Sequence, residues 1–272
     1  MSTLTSYTSG TRPTASGNSG LCIFRSDTNN IEVSDGSDWI GYSNDGIVYD
    51  KGSTCADFDG VDDYISVADA DNLSFGNGTS DSPFSLALWL KSDTAGNVRM
   101  IVKADGTPQE YAFTAGSAGT PNLNLCDGTI SNRIQIASQT ALTQGIWQHW
   151  AVTYDGSGSH ANSKIYLNGN AVSTTTSSSG SYVAMENTSA PVFIGKHEVT
   201  SESFTNGKMD DVAIFSKALS ASEVSAIYNS NIYPKDDIVS FWRFEGNAND
   251  SKGSNDGTGN GGAVLNSTDI RS

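Results

Sequence analysis

Apolar residues in this chain come in short runs that alternate with polar ones, and turn residues punctuate the gaps. Phe84-Ser85-Leu86-Ala87-Leu88-Trp89-Leu90 shows the rule, with Phe84, Leu86, Leu88 and Leu90 on one face of a strand. Strand signals of the same kind follow over Val98 to Val102, Glu110 to Ala115, Leu123 to Cys126 and Arg133 to Ala137. Ile146 to Tyr154 is another two-faced strand and stops at Asp155-Gly156. Lys164-Ile165-Tyr166-Leu167 then turns through Asn168-Gly169 into Ala171-Val172, the signal for a two-residue hairpin. Val192 to Gly195 and Met209 to Phe215 add two more strands. A helix starts at the capping box Ser220-Ala221-Ser222-Glu223, with Val224, Ile227 and Tyr228 as its apolar stripe and an end near Asn229. Beyond it Ile238 to Phe244 reads as a strand buried on both faces, and Glu245 to Gly262 as a loop rich in Gly, Asn and Asp.

The front of the chain differs. Residues 1 to about 20 are Ser, Thr, Gly and Pro with little to bury, the composition of an arm mobile when free, and a neighbouring subunit is expected to hold it. Three short strands are expected next, over Leu21 to Arg25, Asn30 to Val33 and Asp38 to Tyr42. They make a small β meander, too small to stand alone. The expected division is therefore 1–45, arm and meander for attachment and oligomerisation, and 46–272, the main domain. The fold class is all-β: a two-sheet antiparallel sandwich with one short helix.

Composition narrows the classes. Gly is 28 of 272 residues and hydrophobic content 36%, which suits many strands joined by turns. A formal net charge of −15 speaks against a nucleic-acid partner, since no basic stripe is offered to phosphates. No stretch approaches the roughly 18 apolar residues of a membrane span, so no membrane partner is expected. Cys22, Cys55 and Cys126 are an odd number with no CxxC pair, and read as buried free thiols. The start from Met1 to Ser6 lacks the basic and apolar regions of a signal peptide, so folding in a cytoplasm is expected.

The chemistry concentrates in Ala56 to Val67. Its central turn carries Asp57, Asp59, Asp62 and Asp63, four carboxylates within seven residues. Such crowding is repulsive unless water or a shared cation relieves it. A second acidic pair, Asp210-Asp211, precedes Val212-Ala213-Ile214-Phe215. Ca²⁺ takes six to eight hard oxygens. Asp59 and Asp62 on one turn, with Asp210 or Asp211 on another, are the expected metal ligands.

Several segments taken in order resemble the laminin-G-like branch of the concanavalin A-like lectin/glucanase superfamily. They are Phe58-Asp59-Gly60-Val61-Asp62-Asp63-Tyr64-Ile65, Phe84 to Leu90, and Trp147-Gln148-His149-Trp150 to Gly156. Ile165-Tyr166-Leu167-Asn168-Gly169 and Gly207-Lys208-Met209-Asp210-Asp211 to Phe215, running into Ala218-Leu219-Ser220, complete the set. The resemblance implies a jelly-roll sandwich with a structural Ca²⁺ near the two acidic motifs. Ser240-Phe241-Trp242-Arg243-Phe244-Glu245-Gly246 with Ser254 to Thr258 is similar to the closing segment of versions found in tailed-phage structural proteins. Residues 12–41 resemble short modules of phage tail and capsid-associated proteins.

Glucanases share that superfamily, but a retaining glycosidase needs two carboxyls about 5 Å apart, often alternating on one strand. The chain has no Glu-x-Asp-x-Glu run; Glu32, Glu110, Glu186, Glu198, Glu202, Glu223 and Glu245 are scattered singly. It also lacks Gly-x-Ser-x-Gly and HExxH motifs, and no enzyme is expected. For sugar stacking, Trp89, Tyr111, Trp147, Tyr182 and Tyr233 are candidates by type, beside the loops Asp105 to Gln109, Ser173 to Tyr182 and Lys196 to Thr205. The expectation is a non-enzymatic phage virion protein, decorating the capsid or part of a tail fibre, in contact with other virion proteins and copies of itself, and with host glycan. The alternative is a free secreted or cell-surface carbohydrate-binding lectin module.

Overall fold

A computed structural model describes residues 52–107, 109–197 and 203–271, together with Pro13 and five strands among the first 51 residues. The chain divides into two compact units, one of residues 1–51 with 225–236 and one of residues 52–224 with 237–272; the division falls inside the helix Ala221–Ser230.

The first unit is a sheet in the order Thr5–Tyr7, Cys22–Arg25, Asn30–Ser34, Trp39–Ser43, Gly46–Tyr49, Ile232–Tyr233. Its first pair is parallel and the rest antiparallel. The three strands expected from the sequence are there, but the meander does not end at residue 45. Gly46–Tyr49 is its fifth strand, and Ile232–Tyr233 returns to pair with it. Tyr49 N–H donates to the Asn231 carbonyl across 3.2 Å, and the Tyr49 and Tyr233 rings meet edge to face at 5.6 Å. Gly46 lies so close to Tyr233 that a Cβ would strike its carbonyl.

The second unit is the expected sandwich. One sheet runs Thr174–Ser179, Pro121–Ser138, Gln109–Ala115, Val98–Ala104, Val192–Ile194, Tyr64–Val67, Gly257–Asn260. The other runs Asn170–Ala171, Lys164–Leu167, Gln148–Tyr154, Phe84–Ser92, Asn206–Phe215, Cys55–Asp59, Val264–Ser267, with Ile238–Trp242 added along Asn206–Phe215. Phe84, Leu86, Leu88 and Leu90 are buried in the core between the sheets, as their alternation requires. Trp150, Val152 and Tyr154 line the neighbouring strand, and Tyr111, Phe113, Leu123 and Ile136 face them from the other sheet.

Local chemistry explains the connections. Asn168 (φ 47°) and Gly169 (φ 78°) are both left-handed, as a two-residue hairpin with the native twist demands, and Leu167 pairs with Asn170 across them. Pro121–Ser138 is extended throughout but folds back near Gly128 (φ 64°). Gln135 Nε2 donates to Asn124 Oδ1 across 2.9 Å, whereas eleven extended residues would part them by about 36 Å. The two arms are the two strands read from the sequence. Ser220 and Glu223 form the capping box: Ser220 N–H donates to Glu223 Oε2 at 2.8 Å and Glu223 N–H to Ser220 Oγ at 3.3 Å.

The tail departs from expectation. Within the stretch read as loop, Gly257–Asn260 pairs with Tyr64–Val67, and Val264–Ser267 follows on Cys55–Asp59. A Gly-Thr-Gly-Asn strand carries no hydrophobic period, so only its partner reveals it. Cys55 and Cys126 are buried free thiols, pushed up to about 11 and about 12 by burial; Cys22 lies in a strand whose side chains are outside the described residues. Among the described residues no helix is long and apolar enough to cross a membrane.

Candidate functional site

The acidic turn is where the chain passes from one sheet to the other. Cys55–Asp59 belongs to the sheet of Phe84–Ser92, and Tyr64–Val67 to the opposite one. Gly60 (φ 79°) makes the turn with its missing Cβ against Asn206. Asp59 Oδ1 accepts the N–H groups of Val61 (2.8 Å) and Asp62 (3.4 Å), and these backbone bonds hold its carboxyl below the usual range. Asp63 turns inward, and its Oδ2 accepts the Asp59 N–H at 3.0 Å. Burial, then the charges of Asp59, Asp62 and Asp57, push the Asp63 carboxyl up. One carboxylate oxygen from each of Asp59, Asp62 and Asp63 lies within 4.8 Å of the others. The tail crosses between the sheets beside this turn, and Gly261 packs so closely that a Cβ would strike the Asp62 carbonyl. Three hard oxygens in a polar turn are the donor chemistry that suits Ca²⁺. Asp57 instead pairs with Lys208 at 3.2 Å.

Asp210 and Asp211 are not brought to that turn. Asn206 lies opposite Asp59 and Met209 opposite Ala56, so Asp210 sits about 13 Å along the strand from the level of Asp59. Here Asn206–Phe215 bulges: Asp210 pairs with Trp89 and Ala213 with Ala87, and Asp211 takes φ 46° in between. Both carboxylates are buried against Arg271, whose Nη1 is 3.4 Å from Asp210 Oδ2 and whose Nη2 donates to Asp211 Oδ2. Arg243 Nε lies 3.8 Å from Asp211 Oδ1, and the Arg271 guanidinium sits 4.9 Å above the Trp89 ring. Asp210, Trp89 and His149 form one row across three strands, with Trp89 and His149 edge to face at 5.3 Å. Burial, then Asp211, pushes the Asp210 carboxyl well up. Burial, with the Arg271 charge, pushes the His149 imidazole down to about 3. These oxygens already serve guanidinium groups, and they do not fit Ca²⁺. Sequence reasoning missed Arg271, because nothing in Thr268-Asp269-Ile270-Arg271 points to a strand some sixty residues earlier.

A third arrangement lies on the outward face of the seven-stranded sheet. Its register sets Ser177, Gln135, Asn124, Ala112, Val102, Phe193, Ser66 and Thr258 in one row. One end of the row is a chain of side-chain hydrogen bonds. Ser177 Oγ donates to Gln135 Oε1 (3.2 Å), Gln135 Nε2 to Asn124 Oδ1 (2.9 Å), and Asn124 Nδ2 to Asn122 Oδ1 (2.8 Å). Asn124 is buried within this chain, with Ala112, Val102 and Phe193 buried further along the row, while Asn122 and Gln135 are half-buried and Ser177 is exposed. At the other end Tyr64, Phe193 and Phe204 surround Lys196, whose Nζ is 4.2 Å from the Tyr64 ring centre.

The aromatic residues singled out by type divide. Tyr111 is buried with its hydroxyl on the Leu73 carbonyl, and Tyr233 is buried in the first unit. Tyr182 is half-buried and shares Asp81 with Tyr154, while Trp89 lies beneath Arg271 and Trp147 is half-buried. Of the loops, Ser173 to Tyr182 is largely the strand Thr174–Ser179, and Lys196–His197 pairs with Ser203–Phe204. Residues 108 and 198–202 lie outside the described residues.

A family model described as concanavalin A-like lectin/glucanases superfamily, of the laminin G group, matches residues 59–225. The chain belongs to that superfamily. The match begins at Asp59 and includes the acidic turn, the bulge and the amide chain, while Arg243 and Arg271 fall beyond it. Among solved structures, a Bacteroides ovatus protein described as carbohydrate binding is similar at 22% identity and a TM-score of 0.54, covering 77% of this chain and 59% of its own. This lectin/glucanase chain thus spans about three-fifths of that protein's length. A SAP-like pentraxin of Limulus polyphemus (15% identity, TM-score 0.45) covers 75% of this chain and 94% of its own. Domain 4 of an extracellular arabinanase of Geobacillus stearothermophilus, solved with arabinotriose, covers 70% and 77% at 18% identity and a TM-score of 0.42. The first of these likenesses bears on the fold. Among curated proteins none matches.

Proposed function

We propose that the sandwich is a non-enzymatic, lectin-like module that binds neutral glycan chains on the outward face of its seven-stranded sheet. The observation that carries this reading is the oriented chain Ser177–Gln135–Asn124–Asn122. Fixed amides with donor and acceptor side by side match the paired hydroxyls of a sugar ring, and their order is paid before binding. Glu110, on the strand next to Asn124, is fully buried and gives Oε1 to Thr188 (2.7 Å) and Lys103 (3.4 Å), so the accessible end of the row, Ser177, Gln135 and Asn122, offers amide and hydroxyl chemistry alone. Neutral glycans are favoured because a chain of net charge −15 repels anionic ones. Asp59, Asp62 and Asp63 hold a structural Ca²⁺ in this proposal, bracing the crossing between the sheets. The wider setting we propose is a phage particle, with the first unit as attachment; it rests on the likeness of residues 12–41 and 240–258 to phage modules.

The test is a glycan array with the full chain and with a double variant, Asn124→Ala with Gln135→Ala. Wild type should retain neutral glycans. The variant should lose at least tenfold in affinity, about what two hydrogen bonds contribute, at about 1 kcal/mol in stability. Equal binding by both proteins would move the site elsewhere. No binding by wild type would remove the glycan from the account.

A further inference from the structure

The geometry points to a two-fold dimer in which Thr174–Ser179 of one copy pairs with Thr174–Ser179 of another, joining their seven-stranded sheets. This inference rests on the sandwich and its edges, not on the glycan reading.

A strand at a sheet edge presents unpaired N–H and C=O groups along one side, and proteins that stay monomeric blunt such edges. Three of the four sandwich edges are blunted. Asn170–Ala171 is two residues long, Gly257–Asn260 has two glycines, and Val264–Ser267 pairs irregularly with its neighbour. Thr174–Ser179 is different. All six of its residues pair in unbroken register with Arg133–Ser138, and it ends the sheet order. It holds no Pro, no Gly and no charge, and Thr175, Thr176, Ser177 and Ser178 are exposed on both faces. Every second residue therefore points its backbone groups away from the sheet, with no partner strand among the described residues.

Charge identifies the occupant. Residues 165–185 contain no Asp, Glu, Lys, Arg or His, and they supply the edges of both sheets on this side of the sandwich. On the opposite side the edges adjoin Asp62, Asp63 and Asp269. Two copies of a chain carrying −15 repel over most approaches, and they meet at least cost on this side, where the edge strands themselves carry no charge and Arg133 lies opposite Ser179. The strand is also self-complementary. Any antiparallel register of Thr-Thr-Thr-Ser-Ser-Ser on itself sets hydroxyl against hydroxyl, pairs that support a ladder. With one such edge per chain, the pairing closes at two copies and does not propagate into a fibre.

The experiment is sedimentation or light-scattering mass measurement of the full chain over a concentration series, beside Thr175→Lys and Thr176→Lys. Wild type should approach twice the 28.6-kDa chain mass as concentration rises, and both variants should stay monomeric with the melting temperature of dilute wild type. Amide hydrogen exchange over 174–179 should slow with rising wild-type concentration, a readout that holds even if a variant folds poorly. A wild-type monomer at every concentration, or a dimer that both lysines leave intact, overturns the proposal. So does concentration-dependent protection confined to some other strand, which would assign the contact to a different surface.

Discussion

Two acidic motifs in this chain have the same composition and opposite fates. Asp59, Asp62 and Asp63 crowd a turn at the sandwich edge, where backbone N–H groups satisfy Asp59 and two of the three carboxylates are exposed. Asp210 and Asp211 sit at a bulge on the outer face of the other sheet, sealed under Arg271 and Arg243. The first motif keeps its charge in water and has oxygens to share. The second has its charge cancelled by guanidinium groups in a place water does not reach. What separates them is strand register and a C-terminal segment that returns across the sheet. Asp269 ties that segment down by meeting Lys91 at 2.7 Å, with Lys208 3.7 Å away. The acid content of a motif therefore says little about its chemistry until its neighbours are known.

The sharpest way to break this contrast is to remove the guanidinium. Arg271→Ala should cost about 3–5 kcal/mol, because it leaves carboxylates buried without their partner. A thermal or urea melt reads this, and a loss below about 1 kcal/mol would mean that water already reaches the pair. Asp62→Asn, at the exposed turn, should change stability by no more than about 0.5 kcal/mol in metal-free buffer.

Acid separates the regions by a second route. The His149 imidazole is neutral when folded, held down to about 3 from an ordinary 6.5 by burial and then by Arg271. A depressed value stabilises the fold above the unfolded pKa, and that stability is lost as pH falls from 6.5 towards 3. The loss is on the order of 4 kcal/mol over that window. Asp210 works the other way: its raised folded value stabilises the fold below about 3.8, and this is lost as pH rises. Groups facing His149 include Trp89, Arg271 and, through its backbone N–H, Asn168. His149→Gln should therefore lose much less stability than wild type between pH 6.5 and 4. Parallel melting-temperature curves for the two proteins would show that another group governs acid unfolding.

Much of the sandwich can be read along the chain because its signals are local. Alternation over Phe84 to Leu90, the Asn168-Gly169 turn and the Ser220–Glu223 box each declare themselves within a few residues, and each is where the pattern places it. Asp59 and Asp62 are likewise neighbours in sequence and in space. Asp210 and Asp211 illustrate the limit. Their separation from the turn follows from pairing Asn206 with Asp59, and their partner Arg271 is about sixty residues away. Gly257–Asn260 is invisible for a similar reason, since an edge strand held by backbone bonds needs no apolar period. The amide chain escapes notice because Asn122, Asn124 and Gln135 become neighbours only when the strand run folds back at Gly128.

The smallest effect tests what the exposed turn does with its spare oxygens. Three carboxylates within 4.8 Å of one another repel, so the proposed Ca²⁺ would bind the folded turn far better than the open chain. Ligand that binds only the native state stabilises it by about 2.7 kcal/mol at a hundredfold excess over Kd. Melts in Ca²⁺ should therefore lie above melts in EGTA, and Asp62→Asn should close the gap while leaving the EGTA curve in place. Arg271→Ala should lower both wild-type curves together, since its carboxylates belong to the other motif. An identical midpoint with and without Ca²⁺ would leave the Asp59 turn as a solvated corner, held by Val61 and Asp62 N–H groups alone.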